Sequence, residues 1–174
     1  ARGMAAVEHD NVAPILQVGE ASNIPYLAMP LLRGESLATR LQGEKSLPTD
    51  EVLRITLDVC AGLAAAHAIG LVHRDIKPDN IWLEEGTGRV KILDFGLARA
   101  LDSHQQLTQS GLIVGTPSYL SPEQASGLPV DARSDLFSLG VLMYRMLTGA
   151  SPFARPTLMA TLGAVGNYKP EPPY

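Results

Sequence analysis

Between residues 51 and 68 the apolar or nearly apolar positions Val52, Leu53, Thr56, Leu57, Val59, Cys60, Leu63 and Ala64 recur at three- and four-residue steps. That period predicts a helix with one buried face. Thr49 and Asp50 stand where a cap belongs, and Gly70 stands where the helix should stop. The segment DARSDLFSLGVLMYRMLT is apolar nearly all round, which predicts a helix central to the core. Two short apolar runs, VAPILQVG and IPYLAMPLL, flank the turn cluster EASN and predict a pair of strands. IWLEEGTGRVKIL predicts a β-hairpin, with its GTG as the turn because no third glycine follows to make a phosphate loop. Shorter helices are expected over residues 1–8, ending at HDN, over 36–41, and once in the tail before a Pro-rich end. Residues 94–130 are rich in Gly, Pro, Ser, Thr and Gln, and a loop of that length in a small domain is usually functional or disordered. There are no internal repeats.

Composition narrows the classes. With 45% hydrophobic residues in 174, the chain can bury a real core. A net charge of -4 with scattered Lys and Arg leaves no basic face for nucleic acid. The single cysteine, Cys60, excludes a disulfide framework and a cysteine metal site within the chain, and fits a reducing cytoplasm. The longest apolar run is broken by Ser138, Gly140 and Arg145, so no membrane-spanning segment is expected. ARGMAAVEHD lacks the order of a secretory signal and resembles a helix cut in its middle, so the chain is expected to be a piece of something longer.

The chemistry concentrates in HRDIKPDN, residues 73–80. Each short motif alone is weak, but their order is not. His73-Arg74-Asp75 is followed by Asn80, then Asp94-Phe95-Gly96 at the end of an apolar strand, then Pro122-Glu123 beyond the long loop. In this order and spacing, with GTPSYLSPEQ, the chain resembles the eukaryotic-type protein kinases, and among them the bacterial Ser/Thr kinases, over essentially its whole length. The resemblance implies an α+β fold. It places a remnant of the N-lobe at 1–31 (the end of helix C and two strands), the hinge at 32–37, and a mostly helical C-lobe at 38–174, with catalytic loop 73–80 and activation segment 94–123.

Phosphoryl transfer asks a protein for alignment and charge compensation rather than covalent chemistry, so carboxylates, a lysine and metal ions suffice. The resemblance assigns Asp75 to orient the substrate hydroxyl and accept its proton, and Lys77 to neutralise the moving phosphoryl group. Asn80 and Asp94 would hold Mg²⁺ on ATP. Thr116 would bridge to Asp75 and Lys77. On the nucleotide side, Met29 would be the gatekeeper and Leu32 the hinge residue bonding adenine, with Glu35 or Ser36 reaching the ribose. His73 would pack under Phe95, Asp135 would bond the backbone of the catalytic loop, and Glu123 would pair with an Arg from helices beyond this chain. Arg74 is suited to pair with a phosphate added to the activation loop. Thr108 and Ser110, eight and six residues before Thr116, are the expected phosphosites. Protein substrates bearing Ser or Thr are the expected partners, with a second copy of the chain for autophosphorylation.

Two positions depart from the family pattern. Trp82 replaces the aliphatic floor under adenine, so its indole must stack or turn away. Arg145 stands where many relatives have a Glu that recognises basic substrate residues, so a weaker preference for arginine is expected, with Asp79 retaining some. The Gly-rich loop and the strand lysine are absent from these residues. The chain is therefore expected to begin inside helix C and end after the start of helix G, and to be poorly stable and inactive in isolation. Loss of one partner of a buried ion pair costs about 3–5 kcal/mol. The alternatives are a pseudokinase scaffold, which intact Asp75, Lys77, Asn80 and Asp94 oppose, and a metal-dependent hydrolase, which leaves GTPSYLSPEQ unexplained.

Overall fold

A computed structural model describes residues 7–22, 24–95 and 117–173. The expected first helix falls largely outside the described residues, and Val7–His9 are not helical. The first strand pair is present: β1 (Gln17–Ala21) runs antiparallel to β2 (Ile24–Ala28). It is shorter than the apolar run suggested. Asn11 to Ala13 turn away to the second sheet, where Ile92 N donates to Asn11 O at 2.8 Å and Ala13 N donates to Ile92 O at 2.9 Å. That sheet is antiparallel, in the order β3 (Gly34–Ser36), β4 (Ile81–Glu84), β5 (Val90–Ile92). The β4–β5 hairpin follows the expectation. Strand β3, inside the segment read as a hinge, was not foreseen.

Helix α1 (Leu37–Gly43) is capped by Ser36, whose Oγ accepts from Thr39 N at 3.1 Å. Helix α2 (Thr49–Ala68) begins differently from the expectation. Its cap position is Pro48, with no side-chain cap, and Thr49 and Asp50 lie inside the first turn, where Asp50 and Glu51 still favour the helix dipole. Its end is as expected: Gly70 has φ of 73°, Gly70 N donates to His67 O, and Leu71 N reaches back to Ala66 O, a Schellman closure. After α2 come α3 (Pro122–Ala125), α4 (Ala132–Thr148) and α5 (Leu158–Asn167).

The buried face of α2 is Val52, Ile55, Val59, Gly62, Leu63 and Ala66, whereas Leu53, Leu57, Cys60 and Ala64 are exposed. The expected face is thus rotated. Two nearly parallel apolar rows run along this helix, and only the row meeting β5 and α4 is covered. The core joins that row to Leu37, Leu41, Ile76, Ile81, Val90, Ile92, Leu142 and Met146. Gly62 permits the closest approach, because a Cβ there would lie 2.9 Å from Asn11 O and 2.9 Å from Ile92 Cδ1. Asp58 accepts from Val90 N at 3.1 Å and Arg54 donates to Gly88 O, so α2 also holds the hairpin by polar contacts. Helix α4 is central as expected, yet Leu136 on it is exposed and Ser134, Asp135 and Ser138 are buried. A smaller cluster of Val141, Phe153 and Val165 seats α5. No described helix is long and apolar enough to cross a membrane.

Gly62→Val should lower unfolding free energy in urea by about 1–3 kcal/mol, the usual cost of overpacking. Ala61→Val, on the exposed neighbouring position, should cost less than about 1 kcal/mol. Equal losses at both positions would contradict the packing described.

Candidate active site

The loop at residues 73–80 leaves the end of α2 and enters β4, and its backbone is held from below by one carboxylate. Asp135 on α4 is buried at 1% exposure. It accepts from His73 N at 2.9 Å, from Arg74 N at 2.7 Å and from His67 Nε2 at 2.7 Å. Two successive N–H groups converge on it because Arg74 takes φ of 71°, a left-handed conformation that makes a small anion nest. Asp135 is first-turn rather than the cap, which is Asp131, accepting from Arg133 N at 2.9 Å.

His73 is equally buried, and its ring connects both sides of the site. Nδ1 accepts from Asp75 N at 3.1 Å, so the proton is on Nε2, which donates to Leu93 O at 2.8 Å. The ring meets Phe95 edge-on, with centroids 4.6 Å apart, as expected. Burial pushes its pKa below the usual histidine value, against the bond to Leu93 and the charges of Asp135, Asp75 and Asp94. Leu93 is clamped from its other side by Asn80, whose carbonyl accepts Leu93 N at 2.9 Å. Asp94 follows directly, half-buried, with φ of 58°.

Three of the four expected side chains form one bonded group. Lys77 Nζ donates to Asp75 Oδ2 at 2.6 Å, and Asn80 Nδ2 donates to Asp75 O at 2.8 Å and to Asp75 Oδ2 at 2.9 Å. The buried amide therefore spends its nitrogen on Asp75 and keeps Oδ1 for another ligand. Asp94, the fourth, is placed through Leu93 and makes no hydrogen bond or ion pair among the described residues. An amide oxygen and an uncommitted carboxylate suit a hard cation that takes its remaining ligands from phosphate and water. No cluster of three or more acidic, His or Cys ligands occurs among the described residues.

Around this group the other expected residues are placed as follows. Trp82 turns its indole to the segment before β3, where Nε1 donates to Arg33 O at 3.2 Å. Met29 and Leu32, half-buried, follow the end of β2. Glu35 is paired with Leu83 across the sheet, and the Ser36 hydroxyl is engaged as the cap of α1. Glu123 is half-exposed, and the Ser134 hydroxyl donates to it and holds its carboxyl below the usual range. Gly96, Thr108, Ser110 and Thr116 lie outside the described residues. A cavity of about 670 Å³ between residues 7–10, 12–15, Lys91 and Phe95 is lined by none of Asp75, Lys77, Asn80 or Asp94.

One supporting residue escaped the motif reading. Gln124 Nε2 donates to Arg74 O at 2.7 Å, while its Oε1 accepts from Ser121 N at 3.0 Å, closing a capping box at the start of α3. The S-x-x-Q spacing announces the box. The long reach to Arg74 has no sequence signal.

The profile of the protein kinase domain family matches residues 1–163. The chain is 43% identical over 176 residues to the serine/threonine-protein kinase Pkn1 of Myxococcus xanthus, covering 99% of this chain and 25% of that protein. It is 40% identical over 157 residues to the serine/threonine-protein kinase PknB of Mycobacterium leprae, covering 88% of this chain and 25% of that protein. It is 42% identical over 160 residues to the serine/threonine-protein kinase pkn2 of Myxococcus xanthus, covering 90% and 19%. The chain thus spans a quarter or less of the length of these relatives.

The lowered pKa of His73 sets a pH dependence. The unfolded chain binds a proton near pH 6.5 that the buried ring refuses, so this contribution to stability is complete above that value and is lost as pH falls below it. Urea midpoints should drop between pH 7.5 and 5.5. His73→Gln should be less stable throughout but show a shallower slope. An unchanged slope in that variant would remove the argument.

Proposed function

The chain belongs to the protein kinase family, and we propose that it forms part of a serine/threonine kinase domain that moves the γ-phosphoryl group of ATP to Ser or Thr hydroxyls of proteins. The family as a whole uses ATP with a divalent cation. The observation that carries the reading is the bonded group of Asp75, Lys77 and Asn80 beside the clamped strand end that presents Asp94.

In this reading Asp75 orients the acceptor hydroxyl and takes its proton. Lys77, already on Asp75 Oδ2, sits where it can shift to the transferring phosphoryl oxygens. Asn80 through Oδ1 and Asp94 would hold Mg²⁺, which would supply charge compensation to the ATP phosphates. Thr116, outside the described residues, is assigned to the same group by the family resemblance, as part of the activation segment, 94–123. Met29, Leu32, Glu35 and Trp82 belong to the nucleotide side, with Ser36 demoted because its hydroxyl caps α1. Residues 1–31 are assigned to the N-lobe, 32–37 to the hinge and 38–174 to the C-lobe. The cytoplasm is the compartment that supplies ATP and keeps Cys60 reduced. Arg74, whose backbone carbonyl is joined to α3 through Gln124, would pair with a phosphate that a second copy adds to Thr108 or Ser110 of the same chain's activation loop, and so order that loop.

Two tests use the full-length protein with Mg-ATP. Asp75→Asn should lower kcat on a Ser-containing protein by about 10²- to 10⁴-fold, the usual worth of a general base, while nucleotide affinity changes little. Asp94→Asn should weaken Mg-ATP binding itself. Undiminished transfer in both variants would overturn the assignment. Separately, mass spectrometry of the active enzyme should find phosphate on Thr108 first, then Ser110. An enzyme equally active and bearing none would refute loop control.

A further inference from the structure

A second cleft, about 200 Å³, opens beside the catalytic loop. Pro78 and Asp79 form one wall, in the same tight turn as Asn80. Leu41 and Gln42 of α1, Tyr119 and Arg145 of α4 complete it. The volume is below the roughly 300–1,000 Å³ of a nucleotide-sized ligand but sufficient for one side chain. Both polar walls are fixed: Arg145 Nη1 donates to Lys45 O at 3.2 Å, and Ser138 Oγ donates to Tyr119 O at 2.8 Å.

The cleft holds charges of both signs, so magnitudes decide what it selects. Arg145 is half-buried and has no ion pair among the described residues, leaving most of its planar donor fork uncommitted. Asp79 is exposed, and its field is weakened by water and salt. The Tyr119 phenol registers the balance. Burial raises its pKa, and of the two neighbouring charges Arg145, which lowers it, outweighs Asp79, which raises it. A guanidinium, a phenol and the Gln42 amide can all donate hydrogen bonds into this space.

We propose that this cleft is a substrate subsite for a carboxylate side chain, Asp or Glu, lying near the acceptor Ser or Thr, and that Arg145 sets the preference. The inference rests on the kinase reading. It extends that reading from a weakened liking for arginine to a positive selection for acid, because the cation is the less screened charge and lacks an internal carboxylate.

Equilibrium binding tests it without requiring turnover. Fluorescent Ser peptides with one Glu walked from five residues before to five after the serine are titrated onto the full-length protein. At one register Glu should bind about tenfold more tightly than the Ala parent, as for a charge-assisted contact, and Arg at that register should not. Arg145→Ala should remove the gain, Arg145→Lys should keep part of it, and Arg145→Glu should transfer the preference to Arg. Melting temperatures identify any variant that has lost its fold, and Arg145→Lys keeps the charge as the control. No register favouring Glu, or a gain that survives Arg145→Ala, overturns the proposal. Selective binding with no phosphorylation of any peptide would sustain the subsite while refuting the kinase reading.

Discussion

The site depends on a single buried carboxylate. Asp135 is almost wholly shielded from solvent, so its charge is compensated by N–H donors from His73, Arg74 and His67. In return it fixes a backbone conformation that a non-glycine residue adopts at a cost, the left-handed turn at Arg74. That turn aims Asp75 away from the core while His73 points into it. A helix dipole alone would not do this, since what matters is the convergence of three donors from two other parts of the chain.

From that anchor the geometry propagates through short, mostly buried bonds. His73 spans from Asp75 N to Leu93 O, and Asn80 grips Leu93 N, so the loop and the end of β5 are tied together. Burial keeps the His73 ring neutral, which lets Nδ1 accept while Nε2 donates. A charged ring would have two donors and would break the contact with Asp75 N. The same neutrality explains why the ring can pack edge-on against Phe95 inside an apolar core.

The wider scaffold serves the anchor. Helices α2 and α4 carry His67 and Asp135, and the covered row of α2, with Gly62 in it, brings β5 close enough for Leu93 to reach His73. Gln124 ties α3 to the far side of the same turn at Arg74. At the edge of this platform Arg145, half-buried, and Asp79, exposed, line a common cleft.

The ordered motifs of residues 73–96 and 122–123 and the period of the long helices were readable in the chain itself, because phosphoryl-transfer groups need particular residue types at fixed spacings and a buried helix needs a 3.6-residue repeat. Turn chemistry was readable too, as at Gly70. What the letters could not decide was which of two apolar rows on α2 is covered, that residues 34–36 pair with β4, that Pro48 rather than Thr49 precedes α2, or that Trp82 bonds Arg33. Those outcomes depend on contacts between residues far apart in the chain, 49 positions in the case of Trp82 and Arg33, and a local pattern carries no record of its distant partner. Asp135 divides between the two: its bonds to the backbone of the catalytic loop are what the family resemblance implies, whereas the third donor, His67 on α2, has no signal in the sequence and meets it only once α2, α4 and the loop have come together.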